Sequence, residues 1–263
     1  MVIGEPERYS FSKLSTFHTC KWGYYQRYIK GLTGKGNCYS SYGTLVHSIM
    51  ERYAKGEFEV WDLANVFDWE FDLSITESFP TKLFGKDYDM RGSYYNDGLN
   101  FLSNFKGYSN YKILGVEERF EVPIKDWIFN GVIDLVFEDA DGRLIIQDYK
   151  SKAKFSSKAE QAEYARQLYL YSLWAKEHYS RYPDLLRFLM FRKGNTVDIP
   201  FKIDGLNEAV DWAKDTVHKI RECWDYEATC DLFYSNNLCN HRDYCEMKIE
   251  PDLPKYYKGK KCS

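Results

Sequence analysis

Two aspartates and a lysine draw attention because of the runs that hold them. Asp134 lies inside Gly131-Val132-Ile133-Asp134-Leu135-Val136-Phe137, and Asp148 and Lys150 close Leu144-Ile145-Ile146-Gln147-Asp148-Tyr149-Lys150. Both runs have the β-branched, apolar make-up of strands. Asp139-Ala140-Asp141-Gly142 between them reads as a turn in which Gly142 supplies the positive φ that a hairpin needs. A loop over Ala140 to Gly142 sets Asp134 opposite Asp148, and the period of two puts Asp148 and Lys150 on one face. A single aspartate in a strand is ordinary on a solvent face. Two of them inside apolar runs are less ordinary, because a buried unpaired charge costs several kcal/mol unless a metal or counter-charge compensates it. Facing carboxylates suit a Mg2+ or Mn2+ ion, and an ammonium group beside them can orient a water or stabilise developing charge. That combination is the chemistry of phosphodiester hydrolysis.

Three further groupings could join this site. In Gly43-Thr44-Leu45-Val46-His47 the histidine lies one helical turn above a glycine whose missing side chain admits a close neighbour. In Gln167-Leu168-Tyr169-Leu170-Tyr171 the spacing of four places Gln167 and Tyr171 on one helix face. The opening segment Ser12-Lys13-Leu14-Ser15-Thr16-Phe17-His18-Thr19-Cys20 reads as helical and closes on a cysteine. Glu117 and Glu118 precede the hairpin on another strand, where alternation sends them to opposite faces, so at most one could approach the metals; a solvated or structural role is expected for both.

In this order the motifs resemble the PD-(D/E)xK nuclease superfamily, whose pattern is an acid on one strand and acid-x-Lys on the next. The Gly-x-x-x-His and Gln-x-x-x-Tyr helices are similar to those of its RecB-like branch, which includes helicase-associated nuclease domains and CRISPR-associated adaptation exonucleases. The resemblance covers roughly Tyr9 to Cys245. It implies an α/β restriction-endonuclease-like core, a central mixed β-sheet flanked by helices, with a helical N-terminal region and an insertion. It also implies His47, Asp134 and Asp148 as metal ligands, joined by the backbone carbonyl of Tyr149. Lys150 becomes the catalytic lysine, and Gln167 with Tyr171 positions substrate or supports the site.

Many members of that branch hold a four-iron, four-sulfur cluster with one N-terminal cysteine and three near the C-terminus, spaced Cys-x2-Cys-x5-Cys. Cys20 fits the first position and Cys239 with Cys245 the last two, while the remaining position falls on Asn236, a poor iron ligand. Cys230 can substitute through a longer loop. Three outcomes stay open: a [4Fe-4S] cluster using Cys230, a zinc ion using some of these cysteines with His241, or free thiols at a lost site. Cys38, Cys223 and Cys262 read as bystanders.

The elements that must position these residues follow from periodicity. Residues 9–57 read as N-terminal helices, with Gly43 to Lys55 the one that carries His47. Residues 58–111 are aromatic-rich helical stretches broken by loops at Phe84 to Asp87 and Arg91 to Ser93, an insertion able to act as a lid. Residues 112–203 hold the sheet, with strands Ile113 to Ile124, Trp127 to Glu138, Leu144 to Tyr149, Leu186 to Arg192 and Thr196 to Ile203, and a helix Ala159 to Tyr179. Residues 204–263 are an amphipathic helix and a cysteine-bearing tail. No repeat or long linker divides the chain, so a single domain over 1–263 is expected.

Composition sets the outer limits. Lys plus Arg total 36 against 39 for Asp plus Glu, a net charge of -3, so a polyanion must be met by a local basic patch. Lys152, Lys154 and Lys158, then Arg166, are the densest basic run near the carboxylates and are expected to meet DNA phosphates. Seven cysteines, an odd number, and no charged-then-apolar leader argue against a secreted disulfide framework. No apolar run approaches the roughly 18 residues of a membrane span, so no membrane partner and a cytoplasmic place are expected. The expected function is a metal-dependent DNA exonuclease of recombination, repair, phage replication or CRISPR-type processing, alongside helicase, recombination or CRISPR adaptation partners. The alternative is a non-catalytic DNA-binding or assembly subunit held together by the cysteine site.

Overall fold

The computed structural model describes residues 5–83, 85–231 and 234–245. They pack as two compact units: one from the described residues within Met1–Asn37, Pro123–Phe129 and Asp211–Ser263, the other from Cys38–Val122 and Asn130–Val210. Each unit gathers segments far apart in sequence, a feature the sequence reading of one undivided domain does not contain. Cys262 lies outside the described residues.

In the first unit, β1 (Arg8–Ser10) leads into α1 (Phe11–Thr19) and α2 (Lys21–Tyr24). Ser10 caps α1 by accepting the Lys13 N–H, and Leu14 and Phe17 on its inner stripe are buried. Cys20 caps α2 through its sulfur, which accepts the Gly23 N–H at 3.4 Å. Edge-on packing of Tyr9 against Trp127 and paired bonds from Arg221 to Glu7 and Asp126 hold the distant segments of this unit together. Gly34 admits the C-terminal chain: a Cβ there would lie 2.4 Å from the Asn240 carbonyl oxygen.

The second unit is built on a mixed sheet. Its helices are α3 (Cys38–Ala54), α4 (Leu63–Ser74), α5 (Met90–Asn104) and α6 (Lys158–Tyr179), with α7 (Ile203–Glu222) beginning at its end. A two-residue hairpin, β2 (Lys82–Leu83) and β3 (Lys86–Asp87), precedes α5. The main strands are β4 (Lys112–Ile124), β5 (Trp127–Glu138), β6 (Leu144–Lys150), β7 (Leu185–Met190) and β8 (Asn195–Pro200), adjacent in that order. β5 and β6 are antiparallel, β6 and β7 parallel, β7 and β8 antiparallel. The parallel step requires a crossover, which α6 provides.

The β5–β6 turn matches the expected loop: Asp139 N–H bonds the Arg143 carbonyl, and Gly142 has φ 75°. Leu135 then faces Gln147 and Val136 faces Ile146, and one step further along the same register sets Asp134 across from Asp148. Alternation splits β6 between two environments. Ile145 and Tyr149 join the apolar core made with α3, α4 and α5, whereas Lys150 meets Gln167 of α6 on the other face.

Three local expectations change. The helix that carries His47 starts at Cys38 and not at Gly43, because Cys38 and Tyr42 extend its buried stripe. Arg91 to Ser93 form the first turn of α5, where Asp89 accepts the Gly92 N–H as cap. The loop around Gly85 is the turn of the short β2–β3 hairpin, with Gly85 at φ 79°. The aromatics of 58–111 are largely core: Phe67, Phe71 and Phe101 pack in one cluster with α3 and the sheet. A Cβ at Gly98 would lie 2.4 Å from the Phe67 ring, which explains a glycine inside α5. Emptying the Phe67 site would cost about 3–5 kcal/mol. No helix among the described residues is long and apolar enough to cross a membrane.

Candidate active site

The carboxylate hairpin and helix α3 converge at one end of the second unit's sheet. Gly43 of α3 packs over Ser151, with a would-be Cβ 3.6 Å from its Oγ, and this close approach brings His47, one turn later, against β6. His47 Nε2 lies 3.0 Å from the Tyr149 carbonyl oxygen and Nδ1 lies 3.5 Å from Asp134 Oδ2. A carbonyl only accepts, so the tautomer that makes this bond carries its proton on Nε2 and turns the Nδ1 lone pair toward the Asp134 carboxylate. Burial holds the His47 pKa below its ordinary value, which favours that neutral form.

Asp134 Oδ2 accepts the Tyr149 N–H at 2.8 Å. Even so, burial and then the neighbouring Asp148 charge hold its pKa well above the usual carboxylate range. Asp148 is 3% exposed; its Oδ2 lies 2.8 Å from Lys150 Nζ but has no hydrogen bond of acceptable geometry. Lys150 Nζ donates to Gln167 Oε1 at 3.0 Å, and Gln167 Nε2 donates to the Tyr171 hydroxyl at 2.8 Å. Two facing carboxylates served by one lysine, beside an imidazole nitrogen, are a donor set suited to a hard divalent cation.

Glu117 belongs to this cluster, against the expectation of a solvated or structural role. Ligand atoms of His47, Glu117 and Asp134 all lie within 4.8 Å of one another. Glu117 has φ 53°, a left-handed residue within β4. Burial and then Glu51 raise its pKa. Gly115, isolated in an otherwise regular strand, is the one sequence signal of such an irregularity. Asp148 is the expected ligand outside this tight group, its carboxylate drawn toward Lys150.

Behind the site, Gln147 Nε2 donates to the Tyr108 hydroxyl at 3.1 Å, and the Tyr108 and Tyr149 hydroxyls are 2.6 Å apart. This buried chain fixes β6 from its apolar side. On the α6 side, a Cβ at Gly131 would meet Phe120 at 2.9 Å and Tyr171 at 3.1 Å, so only glycine lets that tyrosine reach Gln167 undisturbed. The basic run does not act as a block: Lys152 is tied to Glu160 at 2.6 Å, Lys154 and Lys158 are exposed, and Arg166 is half-buried.

In the first unit Cys20, Cys230, Cys239 and Cys245 are all buried and free of disulfides. A hydrogen bond from Cys230, together with N–H groups of Gly23, Thr229 and Cys230, pulls the Cys20 thiol down to about 5. The same bond, burial and the three other cysteines push Cys230 up. His241 is 4% exposed and its Nδ1 has no hydrogen-bond partner. Asn236 is exposed, whereas Cys230 lies among the other thiols. Cys38 is buried in the second unit, and Cys223 donates to the Asp225 carbonyl.

A family model described as the PD-(D/E)XK nuclease superfamily matches residues 8–248. One subunit of an ATP-dependent helicase/deoxyribonuclease from Streptococcus agalactiae is 26% identical over 161 residues, 57% of this chain and 14% of its own length. The corresponding protein from Streptococcus equi subsp. zooepidemicus is 28% identical over 166 residues, with the same coverage of each chain. The matched part is thus a small share of those relatives. A crystal structure from Eubacterium rectale, described as a "putative exonuclease", shares the fold with a TM-score of 0.54 at 12% identity, covering 95% of this chain and 90% of that one.

Proposed function

Because the chain belongs to the PD-(D/E)XK nuclease superfamily, we propose that it is a metal-dependent deoxyribonuclease acting on DNA ends or single strands. One observation carries the reading: the β5–β6 register sets Asp134 across from the buried Asp148, with His47 Nδ1 3.5 Å from Asp134 Oδ2 and Lys150 Nζ 2.8 Å from Asp148 Oδ2. His47, Asp134 and Asp148, with Glu117 and the Tyr149 carbonyl, would hold Mg2+ or Mn2+. The bound ion would neutralise charge and lower the pKa of an attacking water. Lys150 supplies a fixed ammonium for charge developing on the scissile phosphate, held between Asp148 Oδ2 at 2.8 Å and Gln167 Oε1 at 3.0 Å. Tyr171 in turn orients the Gln167 amide. Lys154, Lys158 and Arg166 are proposed to meet backbone phosphates, with Lys152 shared between DNA and Glu160.

End-labelled DNA should be degraded in Mg2+ or Mn2+ and left intact in EDTA, and 5′-labelled and 3′-labelled strands report polarity. Retention of DNA without turnover in either metal would move the assignment to the binding-subunit reading. The names of the streptococcal relatives join a helicase to a deoxyribonuclease, which supports a helicase partner.

The four buried thiols of the first unit fit a soft metal, with Cys230 in the position that Asn236 does not fill. We propose Cys20, Cys230, Cys239 and Cys245 as ligands of an iron–sulfur cluster that ties the two chain ends of that unit. Iron and sulfide assays on anaerobically purified protein test this; zinc in place of iron, or neither, overturns it.

A further inference from the structure

The second unit has a half-open cavity of about 420 Å³ on the face of the sheet opposite Lys150, between the end of α5 and strands β6 to β8. This is within the roughly 300–1,000 Å³ of small-molecule sites. Its charge is lopsided. Lys106, Arg187, Arg192 and Lys193 line it, with Asp97 the acid among the lining residues. Asp97 serves two of them, accepting from Arg192 at 2.7 and 2.9 Å and from Lys193 at 3.0 Å. Arg187 is held by Asp198 through two bonds of 2.7 Å. Lys106 is exposed and has no ion pair among the described residues. Four cations therefore share two carboxylates, and the surplus faces a space walled by the rings of Phe101, Phe105, Tyr108 and Tyr111. The floor carries the amide of Gln147, which is 2% exposed.

Aromatic walls take a flat base, and a surplus of Lys and Arg takes a phosphate. We propose that this cavity binds a nucleotide with a terminal phosphate, either free or at a strand end. It is distinct from the metal-binding cluster, yet the two share β6. Gln147 donates to Tyr108, Tyr108 bonds the Tyr149 hydroxyl, and the Tyr149 N–H bonds Asp134. Binding here does not require the chain to cleave DNA, so this proposal and the nuclease assignment fail separately.

The test is calorimetric titration of the full chain in EDTA with thymidine 5′-monophosphate, thymidine, inorganic phosphate and 5′-phosphorylated trithymidylate. The monophosphate should bind at least tenfold tighter than thymidine or phosphate alone. Lys106→Glu and Lys193→Glu, both at exposed positions, should each weaken it at least tenfold, whereas Asp148→Asn should leave it unchanged. Tighter binding of the monophosphate than of the trinucleotide assigns the pocket to free nucleotide, and the reverse assigns it to strand ends. No binding of either ligand, equal binding of thymidine, or binding lost in Asp148→Asn but kept in both lysine variants overturns the proposal.

Discussion

The Asp134 carboxylate accepts the Tyr149 backbone N–H at 2.8 Å, so a side chain of β5 is pinned by the main chain of β6 between Asp148 and Lys150. The carbonyl of the same Tyr149 meets His47. One residue's two backbone groups thus hold an acid and an imidazole that come from distant parts of the chain. The metal-site reading depends on this convergence, and its consequences can be measured.

Asp134→Asn, Asp148→Asn and Lys150→Ala should each lower nuclease kcat by roughly 10²–10³-fold or more. Circular dichroism and melting should show folded protein in all three. Parent-like cleavage by the set would remove these residues from the mechanism.

Glu117→Gln keeps the size and one acceptor oxygen while replacing the other with an NH2 donor and removing the carboxylate from the cluster. The expected loss is about 10–100-fold in metal affinity, read as a higher Mn2+ concentration for half-maximal rate. An unchanged metal dependence would return Glu117 to a structural role.

Gly131→Ala tests how Lys150 is positioned. The added methyl must displace Phe120 or Tyr171, at a cost of about 1–3 kcal/mol in stability. Because Tyr171 orients Gln167 and Gln167 holds Lys150, kcat should fall with little change in KM. Tyr171→Phe, which keeps the ring and drops the hydroxyl, should reproduce part of that loss without the destabilisation.

Stability in EDTA should depend on pH through Asp134. Its folded pKa is raised by burial and by Asp148, so between the unfolded value and the folded one the native state binds the extra proton. Stability from this group therefore falls as pH rises through that window. The His47 pKa is lowered, which makes stability rise with pH up to its unfolded value and partly masks the trend. Comparing Asp134→Asn with the parent isolates it: the variant should melt higher than the parent above neutral pH in EDTA, and lower once Mn2+ is added. Parallel melting curves across pH would contradict the buried-charge argument.

Much of this site is legible in the chain because its signals are local. Gly142 sets the hairpin register, and the register decides that Asp134 faces Asp148; a period of two decides that Lys150 shares their face. Spacing of four places Gln167 and Tyr171 together on α6, and they are hydrogen-bonded there. Alternation sends only one of Glu117 and Glu118 toward the site without saying which, and the left-handed φ at Glu117 interrupts the regular strand on which that rule depends. Arg91 to Ser93 read as a loop because Gly92 looks like a breaker, while Asp89 makes it a capped first turn.

What the sequence determined by itself is therefore the motif order, the hairpin register and the class of chemistry, since short-range backbone rules govern each of them. Tertiary structure decided the rest. It brought His47 of α3 to Tyr149 by packing Gly43 over Ser151, a contact between residues about a hundred positions apart that no local period encodes. It chose Cys230 over Asn236 as the thiol buried among Cys20, Cys239 and Cys245, because burial depends on which segments meet and not on ligand spacing. It also gathered Lys106, Arg187, Arg192 and Lys193 around one cavity from an α5 loop and the β7–β8 hairpin, although the chain as a whole carries a net charge of -3.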